Sequence, residues 1–153
     1  MEIKVLDSNK DSVCEKILRS LPEWFGLEDS TKAYIDGVKN QPFFAAFEED
    51  KAVGFISLKE HDPKSYEVYV MGVSPEFHGR GIGKQLILKA EEYLTEESIE
   101  FLQVKTLSES SKDENYAKTR QFYLSCGFTP LEEFKGLWYE HNPCLLLVKA
   151  IKL

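Results

Sequence analysis

Three cysteines occur in 153 residues, and none of them forms a CxxC pair. Cys14, Cys126 and Cys144 are odd in number and widely spaced. That argues against a disulfide scaffold and against a structural zinc site, and it suits a reducing, cytoplasmic compartment. No run approaches the roughly 20 apolar residues that a membrane span needs. The start, Met1-Glu2-Ile3-Lys4-Val5, lacks the basic-then-apolar order of a secretory signal. No repeat, low-complexity tract or Pro/Gly/Ser linker is present, so a single domain over residues 1–153 is expected. Positive charge is in deficit, with 19 Lys+Arg against 26 Asp+Glu and a net charge of -7. Without a basic stripe, non-specific nucleic-acid binding is not expected. An anionic ligand needs a local positive site, whereas the overall field modestly favours a cationic one.

What is present can fold. Hydrophobic residues make up 42% of the chain and aromatics 12%, enough for a real core. Glu2–Leu6 alternates as a short strand. Val13, Ile17, Leu18 and Leu21 fall at helical spacing, with Asp11 or Ser12 as the cap. A second helix is expected over Leu27–Val38. Gln41–Lys59 reads as a hairpin, with arms Phe43–Phe47 and Ala52–Leu58 around the polar turn Glu48–Lys51. Tyr66–Val73 is a third strand, with Val68, Val70 and Gly72 on one face. Ile82, Leu86, Ile87, Ala90 and Leu94 make one helical stripe over Gly81–Leu94. Glu100–Leu107 is a strand, and Tyr116–Cys126 a helix. Ser111 and Glu114 stand in capping-box spacing before that helix, and Gly127 ends it. Phe128–Tyr139 and Cys144–Ile151 are the last strands, joined by His141-Asn142-Pro143. The hairpin makes the expected α/β sheet mixed rather than purely parallel.

The most informative segment is Val70-Met71-Gly72-Val73-Ser74-Pro75-Glu76-Phe77-His78-Gly79-Arg80-Gly81-Ile82-Gly83-Lys84. It reads as strand, bend, glycine loop and helix start. Three glycines in five positions let backbone approach a ligand closely. The amides of a helix N-terminus favour an anion, and Arg80 and Lys84 add positive charge there. A Walker loop is excluded because Gln85 follows Gly83-Lys84 and His78 stands where the earlier glycine belongs. A dinucleotide fingerprint fails because its third glycine would fall on Lys84.

The segment instead resembles the Q/R-x-x-G-x-G/A loop of the GNAT family of N-acetyltransferases, with His78 in the first position. Phe122-Tyr123-Leu124-Ser125-Cys126-Gly127-Phe128 is similar to the family's second signature, and the order of elements also fits. The resemblance implies a mixed, mostly antiparallel splayed sheet flanked by helices, and acetyl-CoA as co-substrate. It implies cofactor contacts from Met71 and Val73 by backbone, from His78, Gly79, Arg80, Gly81, Ile82, Gly83 and Lys84 in the loop, and from Thr119 and Tyr123. A ring N–H of His78 would reach a phosphate, and a bulge near Gly72 would free strand edges for the pantetheine arm. The Val73 N–H would stabilise the oxyanion. Whether Asn115 or Tyr116 takes the place of the family's asparagine stays open.

Acetyl transfer to an amine needs a base for the amine, whose pKa is about 10.4 when lysine-like, and an acid for the leaving thiolate. Each is worth roughly 10²–10⁴-fold. The resemblance makes Tyr123 the acid. Phe122 and Tyr123 point in different directions on a helix, so both are not expected in the core. Glu67, on the strand leading into the loop, is the candidate base, through a water. His61, His78 and His141 are too scattered to hold a metal. Cys126 has no His/Asp partner and reads as packing. The resemblance implies that Trp24, Phe25 and Tyr34, with acidic Glu23, Glu28 and Asp29, wall the acceptor site, the equal alternative being that Trp24 and Phe25 staple the helices to the sheet. Lys135–His141 would close its other side, or Trp138 and Tyr139 would serve as strand packing or a dimer contact. The expected substrate is a small cationic primary amine, acetylated directly without an acyl-enzyme. A non-catalytic CoA-binding module and acetylation of a protein amine are the alternatives; the oligomeric state stays open, with a homodimer as what the resemblance implies.

Overall fold

The computed structural model describes residues 1–138 and 142–151. Tyr139, Glu140 and His141, which the sequence reading takes into the last strand and its connection, lie outside the described residues. The described elements are β1 (Glu2–Val5), α1 (Lys10–Arg19), α2 (Glu28–Gly37), β2 (Phe43–Glu48), β3 (Lys51–Asp62), β4 (Ser65–Val73), α3 (Ile82–Glu96), β5 (Phe101–Leu107), α4 (Glu114–Ser125), β6 (Thr129–Phe134) and β7 (Cys144–Ala150). The strands form one sheet in the order β1-β2-β3-β4-β5-β7-β6. Neighbours run antiparallel throughout except for β4 and β5, which are parallel. This is the mixed, mostly antiparallel α/β sheet that the hairpin required.

Local chemistry explains where the elements differ from expectation. Helix α1 begins at Lys10, so Asp11 and Ser12 lie inside its first turn; Asn9, at φ 58°, precedes it and caps with no side chain. Asparagine tolerates this left-handed conformation better than most residues. Helix α4 starts two residues earlier than Tyr116 and is capped by Asp113, not by a Ser111–Glu114 box. The Asp113 carboxylate accepts from the amides of Asn115 and Tyr116 at 2.9 and 3.1 Å. Strand β6 stops at Phe134.

Each face of the sheet carries its own core. The α3 stripe of Ile82, Leu86, Ile87, Ala90 and Leu94 is buried as its spacing predicts, against Phe44, Ile56, Leu58, Val68, Leu102 and Val104. On the opposite face Ile17, Leu18 and Leu21 at the end of α1 pack on Phe43, Phe55 and Val70. Burying one such side chain contributes roughly 1.5–3 kcal/mol, so the two layers fix the helices on opposite sides of the strands.

One irregularity in β4 decides where a ligand can enter. The register against β3 passes from Leu58↔Val68 to Ser57↔Val70, leaving Tyr69 as an extra residue. An extra residue reverses which side chains face which layer. Val68 therefore joins the α3 core, whereas Val70 joins the α1 core. Gly72 faces α1 too, since a Cβ there would lie 3.1 Å from Ile17 and Leu21. The expectation of one shared face for Val68, Val70 and Gly72 fails at Val68, because the bulge sits at Tyr69 and not near Gly72. The β4–β5 ladder runs only from Ser65↔Phe101 to Val68↔Val104. The two strands part at the bulge.

Candidate active site

The parting opens a cleft of about 1410 Å³ that crosses the sheet. One end lies at the start of α3. Gly79 and Gly81 have φ of +77° and +79° there, with nothing within 4 Å of a would-be Cβ. Glycine is required for backbone conformation at these two positions, not for space. Gly83 differs, because its Cβ would meet the Phe122 ring at 3.1 Å. No side chain caps α3, and the first helical bond runs from Gln85 N–H to Gly81 O. Among the described residues, the amides from Gly79 to Lys84 have no other partner. His78, Gly79, Gly81, Ile82, Gly83 and Lys84 line the cleft, with Lys118 from α4. Free amides, the helix dipole and two lysines give this end the chemistry that suits an anion, in a chain that is acidic as a whole. Arg80 is not on the cleft wall; its guanidinium lies 4.8 Å from the Phe77 ring centroid.

The edge of β4 leads from that site through the sheet. Ser74 N–H donates to Val53 O of β3 at 2.8 Å. Backbone groups alternate along a strand, so the amides of Met71 and Val73 turn the other way, into the gap left by β5. Both residues line the cleft. The Val73 carbonyl accepts from His78 Nε2 at 2.7 Å. The sequence reading aimed a ring N–H of His78 at phosphate; instead that N–H ties the glycine loop to the end of β4. The His78 ring also lies edge-on to Trp24, 6.0 Å between centroids.

Tyr123 stands where the cleft crosses the sheet. It is 6% exposed, and its ring meets Phe122 and Phe128 edge-on at 5.3 and 5.6 Å. Phe122 packs against the same core, so adjacent helical positions here share one aromatic cluster, contrary to the expected divergence. Burial pushes the Tyr123 hydroxyl well above the ordinary phenol range, with Cys126 a smaller contributor. The group stays protonated and able to donate. Thr119 also lines the cleft, but its hydroxyl accepts from Trp24 Nε1 at 3.1 Å and donates to Asn115 O at 3.2 Å. Of the Asn115/Tyr116 pair, Tyr116 reaches the cleft, and its hydroxyl donates to Trp24 O at 2.7 Å. These contacts strap the α1–α2 connection to α4 across the opening.

The far end lies on the α1–α2 face. Glu67 is 8% exposed and is absent from the cleft wall. Its Oε1 pairs with His61 Nε2 at 2.5 Å and with Lys105 Nζ at 3.2 Å. Lys105 is the member of this set that lines the cleft. Of the three acids expected in the wall, only Glu23 is there; Glu28 pairs with Arg19 at 2.7 Å on the surface. Phe25, Tyr34 and Tyr69 line this end, and Leu137 and Trp138 also line the cleft. Burial raises Tyr34 and Tyr116 to about 12 each. The Lys105–Glu67–His61 set was missed because its members lie on three strands; only the polar alternation of Gln103 and Lys105 in β5 hinted at it.

The site fits a long ligand with an anionic head and a polar arm. Free amides meet the head, and unpaired β4 groups can bond the arm as an added strand does. Thr106, 4% exposed and on the cleft wall, carries a buried hydroxyl without a partner among the described residues. Orphaned buried hydroxyls are rare, and one beside a cleft fits a site shaped for a polar guest.

Comparison with known proteins agrees with this geometry. The model of the acetyltransferase (GNAT) family matches residues 11–128. A GNAT-family acetyltransferase structure from Desulfovibrio desulfuricans superposes with TM-score 0.83 at 17% identity, covering 99% of each chain. An aminoglycoside 6'-N-acetyltransferase complexed with coenzyme A superposes with TM-score 0.80 at 18% identity, covering 100% of this chain and 98% of that one. Mycothiol acetyltransferase of Corynebacterium glutamicum (strain R) is 35% identical over 52 residues, which is 34% of this chain. The match spans only 18% of that relative's length. The structural likenesses establish a shared fold, and the family match covers the glycine loop, the parted strands and Tyr123 together: the chain belongs to the acetyltransferase (GNAT) family.

Proposed function

We propose that this protein transfers an acetyl group from acetyl-CoA directly to a small primary amine. The observation that carries the reading is the run of unpartnered amides from Gly79 to Lys84, opening onto a cleft that crosses the sheet where β4 and β5 part. The aminoglycoside 6'-N-acetyltransferase that shares the fold supports an amine acceptor by its name. Bound acetyl-CoA supplies the activated acetyl thioester. The loop amides, Ile82, Gly83, Lys84 and the backbone of Arg80 hold its phosphates, and the β4 edge at Met71 and Val73 holds the arm. The Val73 N–H donates to the carbonyl oxygen as negative charge grows on it, which is the preorganised kind of stabilisation. The amine nitrogen bonds to the acyl carbon as the carbon–sulfur bond breaks. Tyr123 gives its proton to the departing sulfur, and Glu67 takes the amine's proton through water, so acetyl amide and free thiol leave in balance.

A cationic acceptor was expected from three acids, and Glu23 alone now supports it by lining the cleft. Calorimetry of acetyl-CoA against CoA stripped of its phosphates tests the reading. Binding that disappears with the phosphates supports it, and no binding of either overturns it. Initial-velocity lines that intersect are expected for direct transfer, and parallel lines would reveal an acyl-enzyme.

A further inference from the structure

The far end of the cleft is aromatic; the charged side chains there are Glu23 and Lys105, the latter paired with Glu67. Phe25 and Tyr34 meet edge-on at 5.9 Å, and Tyr34 and Tyr69 at 5.2 Å. The three rings therefore form one continuous wall from the α1–α2 connection to the bulge in β4. The wall is built into the fold. Gly37 of α2 leaves room for the Tyr69 ring, whose atoms lie 2.6–2.9 Å from where a Cβ would stand. Lys59 sits over the Tyr69 ring at 5.7 Å, and Lys105 lines the cleft nearby. The neighbouring carboxylate, Glu67, is already engaged by His61 and Lys105. Among the described residues, Glu23 is the one acid on the cleft wall.

A flat apolar body is recognised by such a wall through area burial and edge-to-face ring contacts. We infer that the acceptor is an aromatic primary amine. This rests on the acetyl transfer proposed above and names its substrate class.

The test is a steady-state comparison of four amines with acetyl-CoA, following release of free thiol: tryptamine, 2-phenylethylamine, hexylamine and spermidine. The expected order of kcat/KM puts both aromatic amines above hexylamine and at least about tenfold above spermidine, the size of effect expected for one buried ring. Tyr34→Leu is expected to raise KM for tryptamine about tenfold with kcat and acetyl-CoA affinity unchanged. Tyr34→Phe, which keeps the ring, is expected to retain the tryptamine-to-hexylamine preference. Spermidine or hexylamine as the preferred substrate overturns the inference, as does failure to turn over either aromatic amine. So does a Tyr34→Leu variant that leaves the tryptamine-to-hexylamine ratio unchanged. In each of those cases intact binding of acetyl-CoA keeps the cofactor reading standing. Loss of acetyl-CoA binding by the wild-type protein overturns both readings.

Discussion

The two ends of the cleft are made in different ways. The end at α3 comes from one contiguous stretch, His78 to Lys84, and presents mainly unpartnered backbone amides. The end on the α1–α2 face comes from side chains of Phe25, Tyr34, Tyr69 and Lys105, on separate segments that the fold gathers. Backbone recognition tolerates almost any side chain but demands particular φ values, so glycines betray it. Side-chain recognition leaves no spacing signal, because sequence distance does not measure distance across a sheet.

The largest expected effect lies between the two ends. Tyr123→Phe removes the one hydroxyl assigned to the leaving sulfur while keeping the ring packed on Phe122 and Phe128. kcat should fall roughly 100-fold or more, the lower range for a lost general acid. Acetyl-CoA affinity by calorimetry and KM for the amine should both hold. Unchanged kcat would remove Tyr123 from the chemistry and leave it as a core residue.

Next is the near end. Gly81→Val forces a β-branched residue to φ +79°, which it resists by about 1–2 kcal/mol. The loop should rearrange and its amides lose their common aim. A roughly 30-fold weaker dissociation constant for acetyl-CoA is expected, about 2 kcal/mol. The acceptor KM at saturating acetyl-CoA should not move. If it moves equally, the two ends are coupled and the contrast drawn above breaks down.

How much of this was legible follows the same division. The stripe on α3, the hairpin and the glycine loop were read correctly because each is a local pattern of spacing. The faces of β4 were misread because a single extra residue, Tyr69, inverts the alternation, and nothing in Val68-Tyr69-Val70 marks it. His78 was aimed at phosphate, yet it bonds Val73 O, a partner set by how the loop folds back. Thr119 was assigned to the cofactor without its tie to Trp24, which lies 95 residues away. The acidic wall shrank to Glu23 once Arg19 was seen to hold Glu28. Sequence gives composition, and the fold decides which charges are already paired.

Phenols give the far end a signature in alkali. Burial holds Tyr34 and Tyr116 near 12, against an ordinary value of about 10. Between those values the unfolded chain has lost these protons and the folded protein keeps them, so unfolding releases protons and becomes easier as pH rises. The contribution is complete below pH 10 and is lost as pH climbs to about 12. Urea midpoints at pH 9, 10 and 11 should fall progressively. Cys14, raised by burial to about 12, adds to the same slope from a lower starting value. Tyr34→Phe should flatten the slope in part. An unaltered slope would mean that Tyr34 is wet, which also weakens the aromatic wall.

The smallest expected effect sharpens the contrast most. Gly37→Ala adds one methyl, 2.6 Å from the Tyr69 hydroxyl and 2.9 Å from two of its ring carbons. Those separations are too short to persist, and the contact is with the far end of a side chain, so the Tyr69 ring should swing and the helix should stay. Alanine otherwise favours the helix over glycine by up to about 1 kcal/mol, which offsets the crowding and keeps the protein folded. The tilted ring should spoil its edge-on contact with Tyr34 at 5.2 Å, raising KM for an aromatic amine about threefold. Acetyl-CoA binding, tens of residues away along the chain and on the other face of the sheet, should be untouched. A methyl on the outer helix that changes acceptor affinity and nothing else would show the far end to be an independent side-chain site. A change in acetyl-CoA affinity from the same methyl would show that moving the bulge residue shifts the β4 edge proposed to hold the arm.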